Sequence, residues 1–196
     1  MKIKLALIIV VCIALSILLC GCCLWYDAEA EGNIVYGYSD VLKDAFVGFY
    51  TYEGDYDNIV IELPNYYKDY PITSLGGYTG RGVPLPFDID FDAEKLNPNG
   101  TIKYRTIMTD DELKEASTVQ FDITLHIGSN VQELRNTDTR FVYIFTENKD
   151  GKENEIVYIP TFYIICDKNN ETFYSKDGRL YLRETDQLVQ NFYYAE

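Results

Sequence analysis

From Val119 to Ile127 the chain alternates without a break. Val119, Phe121, Ile123, Leu125 and Ile127 are apolar, and Gln120, Asp122, Thr124 and His126 between them are polar. A period of two places all five apolar side chains on one face of an extended backbone. The segment therefore reads as a half-buried strand, and it needs both a sheet to sit in and a second layer to cover it.

Other segments supply that sheet. Ile59-Val60-Ile61-Glu62-Leu63 is short and β-branched, and Pro64 closes it. Arg140 to Thr146 and Glu155 to Ile165 flank Asn148-Lys149-Asp150-Gly151-Lys152, and Thr172-Phe173-Tyr174 and Leu180-Tyr181-Leu182 flank Asp177-Gly178. Asp-Gly between strands predicts a hairpin, because both turn residues must take positive φ. Asn97-Pro98-Asn99-Gly100 reads as a turn before a strand over 101–107. The best helix runs from Asp110 to Ala116, with Thr109 as N-cap and Glu112 three residues on, a capping-box pattern. A second short helix is expected over 39–46. The expectation is a mainly β domain with one or two short helices.

The N-terminus sets the compartment. Lys2 and Lys4 precede an apolar run from Leu5 to Leu19 broken only by Ser16, the charged and apolar regions of a secretory leader. Leu19-Cys20-Gly21-Cys22 then resembles a bacterial lipobox. That resemblance implies cleavage after Gly21 and a diacylglyceryl group on Cys22, with Cys20 a departure from the small or β-branched residue usual there. Alternatively, Leu5 to Trp25 reaches the roughly 20 residues that a transmembrane helix needs, with Trp25 and Tyr26 at the interface. Both readings tether the rest of the chain outside the cytoplasm. The domain plan is a signal peptide at 1–21, a tether at 22–33, and one β-rich extracytoplasmic domain at 34–196.

Composition narrows the function. There are 31 acidic against 17 basic side chains, a formal charge of −14, and the leader removes two lysines and no carboxylate. Nucleic acid is excluded as a partner, because phosphate recognition depends on Lys and Arg. A hydrophobic share of 47% excludes a disordered acidic chain. Cys22, Cys23 and Cys166 are the cysteines beyond the leader. A Cys23–Cys166 disulfide is open in an oxidising compartment, and a buried free thiol at Cys166 is the other reading. No CxxC pair supports structural zinc.

Three segments carry a family resemblance. Ile59-Val60-Ile61-Glu62-Leu63-Pro64 with Tyr70-Pro71-Ile72-Thr73-Ser74-Leu75-Gly76, and Asn169-Asn170 with Phe173, Ser175, Asp177-Gly178 and Leu180-Tyr181, resemble the BspA-type leucine-rich repeats of bacterial surface proteins. Leu125 to Leu134 is a looser match to the core of that repeat. The resemblance implies a short, irregular, repeat-derived β scaffold with adhesive partners. The spacing from Leu75 to Leu134 is far from a regular period of twenty-odd residues, so insertions around 78–108 and 146–155 interrupt the repeats. A compact β-sandwich-like domain is the alternative architecture.

Chemical sites are sparse. Asp88, Asp90 and Asp92 open a DxDxD run, but Ala93 and Asn99 stand where a calcium loop needs Gly and Glu. With Phe87, Ile89 and Phe91 interleaved, the run reads as a strand with solvated carboxylates. His126 lies on the polar face of its strand with no nucleophile identified near it. Gly76-Gly77-Tyr78-Thr79-Gly80-Arg81-Gly82 lacks the Lys-Ser/Thr ending of a phosphate loop and reads as a surface loop. Asn170-Glu171-Thr172 matches a glycosylation sequon. Tyr66, Tyr67 and Tyr70 in a turn region, and Tyr193 and Tyr194 near the end, are binding candidates, with core packing as the competing role. No cofactor or catalytic residue is indicated. The reading is a non-enzymatic, lipid-anchored surface protein that binds a surface protein or glycan. An accessory subunit of an envelope complex and a carboxylate-dependent glycan hydrolase are the alternatives.

Overall fold

The computed structural model describes residues 26–80, 82–135, 137, 139–149 and 152–195. The leader, the lipobox and Cys22 lie outside the described residues. The chain is mainly β, with two short helices among the described residues. Strands β1 (Asp27–Glu31), β2 (Ile34–Ser39) and β3 (Asp44–Tyr52) form an antiparallel meander. Two of the expected boundaries change here. The tether does not reach residue 33, because Asp27–Glu31 pairs along its whole length with β2 and Tyr26 is already buried. The helix expected over 39–46 is instead a turn followed by β3. Val41 and Leu42 stay exposed in the turn, and Ala45 and Phe46 serve opposite faces of the strand.

After β3 the chain crosses repeatedly between two sheets. β4 (Ile59–Glu62) lies in the second sheet, while β5 (Tyr66–Tyr67) and β6 (Tyr70–Leu75) return to the first. An excursion follows, through the small hairpin β7 (Gly77–Tyr78) and β8 (Pro84–Leu85), then β9 (Asp88–Phe91), α1 (Ala93–Leu96), β10 (Thr101–Ile107) and α2 (Asp110–Glu115). β11 (Thr118–Ile127) goes back to the second sheet and β12 (Glu133–Leu134) to the first. β13 (Phe141–Lys149) and β14 (Lys152–Cys166) form the expected long hairpin in the second sheet. The hairpin β15 (Phe173–Lys176) and β16 (Arg179–Leu182) turns at Asp177 and Gly178, whose φ values of 52° and 74° are those an Asp-Gly turn requires.

The first sheet runs β1-β2-β3-β6-β12, with β9 continuing the edge of β3 beyond β6. The second runs β10-β13-β14-β11-β4. Within them, β4, β11 and β14 are mutually parallel, as are β3, β6 and β12. Two passages from one sheet to the other therefore stack on each other. Ile59 pairs with Ile123 and Ile61 with Leu125 in the second sheet, and Leu75 pairs with Leu134 in the first. The long interval between Leu75 and Leu134 is absorbed by the excursion, which leaves the parallel register intact. Gly76 permits the departure: its φ is +71°, and a Cβ there would lie 1.7 Å from the Arg135 carbonyl oxygen.

A single main core fills the space between the sheets. Ala45, Val47, Ile72 and Leu75 come from the first sheet, and Ile61, Ile123, Leu125, Ile127, Phe162 and Ile164 from the second. Burying each of the large aliphatic side chains stabilises the fold by roughly 1.5–3 kcal/mol. A smaller cluster on the outer surface of the second sheet packs Val142, Ile144, Val157 and Ile159 under Met108, Leu113 and Tyr193. α2 is held over it by the expected capping box, with Glu112 N–H donating to Thr109 Oγ1 at 3.3 Å and Thr109 N–H donating to the Glu112 carboxylate at 2.7 Å.

The corners between sheets are joined by polar groups. Asn65 Oδ1 accepts from Ser129 N–H at 2.9 Å, and Asn130 Nδ2 donates to Asn65 O at 3.0 Å. One layer further, Asn170 Nδ2 donates to the carbonyls of Gly128 and Val131 at 2.8 Å each, while Oδ1 accepts from the amides of Thr172 and Phe173. These bonds satisfy backbone groups that the corners would otherwise bury without partners.

Candidate functional site

The tyrosines at 66–70 divide between surface and core. Tyr67 and Tyr70 are cross-strand partners around a tight turn, and strand alternation sends neighbouring side chains to opposite faces. Tyr66 is 58% exposed, but Tyr67 is only 2% exposed and belongs to the core. Its ring stacks on Tyr36 with centroids 4.2 Å apart. Tyr70 stacks on Tyr38 and donates its hydroxyl to the Asp40 carboxylate. Lys68 lies 4.8 and 4.9 Å from the ring centres of Tyr38 and Tyr67 and pairs with Glu29 at 2.9 Å. The Glu29 carboxylate holds the Lys68 ammonium above its ordinary pKa, and Lys68 in turn lowers that of Glu29. Core packing takes Tyr67, whereas Tyr66 is open and Tyr70 half-exposed.

Asp88 to Asp92 forms a strand as expected, with Phe87, Ile89 and Phe91 buried. The carboxylates are not simply solvated, however. Asp88 makes a two-point ion pair with Arg105, both side chains largely covered, and the guanidinium sits 4.4 Å from the Phe141 ring centre. Asp92 caps α1 by accepting from Glu94 N–H. Gly76 and Gly77 are buried rather than part of a free surface loop. Asn170 is 1% exposed, so its sequon presents no accessible amide. Tyr193 covers α2's cluster, and Tyr194 bridges to Phe162 in β14.

The outer face of the second sheet is different. Parallel register lines up Val60, Thr124 and Tyr163 in one row and Glu62, His126 and Ile165 in the next, with Asp122 opposite Thr161 in a third. Three strands at about 4.8 Å spacing, two of which continue into the third row, make an open band of roughly 10 by 13 Å. Tyr163 is 48% exposed, and Val60 and Ile165 are also open to solvent. His126 is half-buried between them. The sequence placed His126 on this face correctly, but it did not reveal the face. Phe162 to Ile165 is apolar at every position, so alternation cannot say which side is covered.

Shallow grooves bound the band. One of about 560 Å³ at the C-terminal ends of the strands is lined by Glu62, Asn65, His126, Ile165, Cys166 and Lys168 among others. Burial pushes the Cys166 thiol up to about 11, which keeps it protonated at neutral pH, and it forms no disulfide among the described residues. A second groove of about 450 Å³ runs between α2 and the C-terminal segment, over Gln120, Ile159 and Thr161. Two carboxylates mark the band, Glu62 and Asp122. They lie on adjacent strands four residues out of register, which separates their backbones by roughly 14 Å. Glycoside hydrolysis needs carboxyl groups about 5–9.5 Å apart, and Asp122 already accepts from Thr161 Oγ1 at 2.5 Å.

A third depression lies at the free edge of β12. This open groove of about 870 Å³ is lined by Gln132, Glu133, Arg135, Gln187, Gln190 and Asn191 around Leu134 and Leu188. Glu133 and Arg135 pair with each other there, and the guanidinium lowers the pKa of Glu133. Among the described residues no group of three or more His, Cys, Asp or Glu side chains is arranged to hold a metal ion. Comparison with protein-family models, curated proteins and solved structures gave no match.

Proposed function

We propose that this is a non-enzymatic, lipid-anchored protein of the extracytoplasmic face that binds a macromolecule through the outer face of its second sheet. One observation carries the reading: an open band of mixed apolar and polar side chains across three parallel strands, with Tyr163 its most exposed aromatic. An open surface with isolated exposed apolar groups suits a protein partner better than a small molecule, which needs a concave site. The formal charge of −14 favours a basic partner.

The binding test is a panel of purified surface proteins titrated against the membrane-anchored protein and its variants. Tyr163→Asp should weaken the bound partner at least tenfold. Tyr104→Asp, on exposed β10 away from the band, should leave it unchanged. Equal effects of the two substitutions would exclude the band as the binding site. The anchor is tested separately: Cys22→Ala should abolish acyl labelling and leave the precursor uncleaved; a variant cleaved like its parent would remove the lipobox reading, and a parent that is itself neither acylated nor cleaved would favour the transmembrane helix. A glycan ligand is favoured by the groove beside β12, whose amide side chains match sugar hydroxyls. Gln187→Ala with Gln190→Ala would then reduce glycan retention, while Tyr163→Asp would not.

A further inference from the structure

The point where the chain joins the fold is unusually short of slack and flanked by uncovered aliphatic side chains. Tyr26 is buried on the outer side of the first sheet, its ring 5.2 Å from that of Phe46. Its hydroxyl donates to the Asp44 carboxylate, 3.0 Å from each oxygen, and its carbonyl accepts from Gly80 N–H at 2.9 Å. Tyr26 is thereby pinned between two turns. One spans residues 40–43 and leads directly into Asp44. The other, at the tip of the β7–β8 hairpin, is closed by Thr79 N–H donating to Val83 O at 2.9 Å.

Both turns expose aliphatic side chains where turns ordinarily carry Gly, Asn, Asp or Ser. Val41 is 77% exposed and Val83 54%, with Leu42 also open. Cys22 precedes Tyr26 by four residues, which span at most about 14 Å. On the transmembrane alternative the apolar run ends at Trp25, directly before Tyr26. With either anchor, the Tyr26 corner must sit at the bilayer surface.

We infer that Val41, Leu42 and Val83 form a second, apolar contact with the lipid surface, which docks the anchored domain instead of leaving it to swing on its tether. This rests on the anchored reading above. The contact is apolar rather than electrostatic. Asp40 flanks Val41, and Asp27, Glu29 and Glu31 line the neighbouring edge strand, against Lys43 in one turn and Arg81 in the sequence of the other. Anionic headgroups are therefore not favoured over zwitterionic ones. Because Tyr26 and Phe46 lie on the side of the first sheet away from the main core, this orientation turns the outer face of the second sheet away from the membrane, where a partner can reach it.

The test uses the full chain anchored in phosphatidylcholine vesicles, with and without phosphatidylglycerol, and a benzophenone amino acid at position 41, 83 or 163. Flotation is scored first, then the mass of the photo-adducts. Lipid adducts at 41 and 83 at least fivefold above those at 163, within twofold between the two vesicle types, are expected. Protein missing from the floated fraction overturns the anchored reading and the inference with it. Floated protein whose yields at 41 and 83 match that at 163, or whose adducts join a second copy of the chain, overturns the inference alone. A yield that needs phosphatidylglycerol overturns its apolar character.

Discussion

Replacing Asn170 by alanine tests the corner that joins the last layer of the fold to the one before it. The side chain uses all four of its hydrogen-bonding positions: two donations to the Gly128 and Val131 carbonyls and two acceptances from the Thr172 and Phe173 amides, at 2.7–2.9 Å. Alanine leaves four backbone groups without these partners at a position 1% exposed. At about 1 kcal/mol for each group, the low end of the range because water can fill part of the space, the loss is about 4 kcal/mol. That is a large fraction of the roughly 5–15 kcal/mol that holds a domain together. With a urea slope of about 2 kcal/mol/M, the unfolding midpoint should fall by about 2 M. The assay is urea unfolding of the chain from Tyr26 onward, followed by circular dichroism. Asn169→Ala is the control, since only the backbone N–H of Asn169 is bonded, to Asp167, and should move the midpoint by less than about 0.3 M. Asn170→Asp should be costly at pH 7, because a carboxylate oxygen would face two carbonyls. That arrangement raises the folded-state pKa of the new acid, so its deficit relative to the parent should shrink as pH falls. A midpoint shift under about 0.5 M for Asn170→Ala, with an unchanged slope, would refute the argument that this side chain satisfies the corner.

Asp88→Asn should cost about 3 kcal/mol by the same assay, because it strands a largely covered Arg105 guanidinium. Converting the pair together, Asp88→Leu with Arg105→Met, should recover most of that loss. Cys166, whose thiol is raised to about 11 by burial, should react with a disulfide reagent at pH 8 about twentyfold more slowly than a free cysteine, since the thiolate fraction falls from about a quarter to about a thousandth while the more basic thiolate is the stronger nucleophile. Its labelling should accelerate as pH rises through 10 to 11, and fast labelling at pH 8 would contradict its burial. A chain beginning at residue 34 should be less stable than one beginning at Tyr26 by about 3 kcal/mol, because it loses a buried tyrosine and leaves Phe46 uncovered. Equal thermal midpoints for the two would return residues 26–33 to the tether.

Segments whose structure follows from neighbours in the chain were readable in advance. The β11 alternation, the Asp177-Gly178 hairpin, the β13–β14 hairpin and the Thr109–Glu112 capping box depend on spacings of two to four residues, and each forms as expected. Asp27 to Glu31 escaped notice as a strand because its side chains are all exposed, and an acidic edge strand has the composition of a spacer. The roles of the tyrosines are not legible locally for a related reason. Aromatic residues in a turn suit either burial or display, and alternation around Lys68 and Asp69 sent Tyr67 into the core while Tyr66 stayed outside. Asp88 looked solvated because Arg105, its partner, lies on another strand seventeen residues away.

By itself, then, the sequence determined most of the element types and the pairing of the two hairpins. It also determined a strongly acidic composition. Those properties come from local backbone sterics, alternation and summed charge, which need no knowledge of distant residues. Tertiary structure alone decided that Leu75 stacks on Leu134 and Ile59 on Ile123, because parallel pairing is set by which apolar faces can share one core. It also decided which side of Phe162–Ile165 is covered. A run that is apolar at every position satisfies either face equally, and only the opposing sheet, packed against Phe162 and Ile164, left Tyr163 and Ile165 outside.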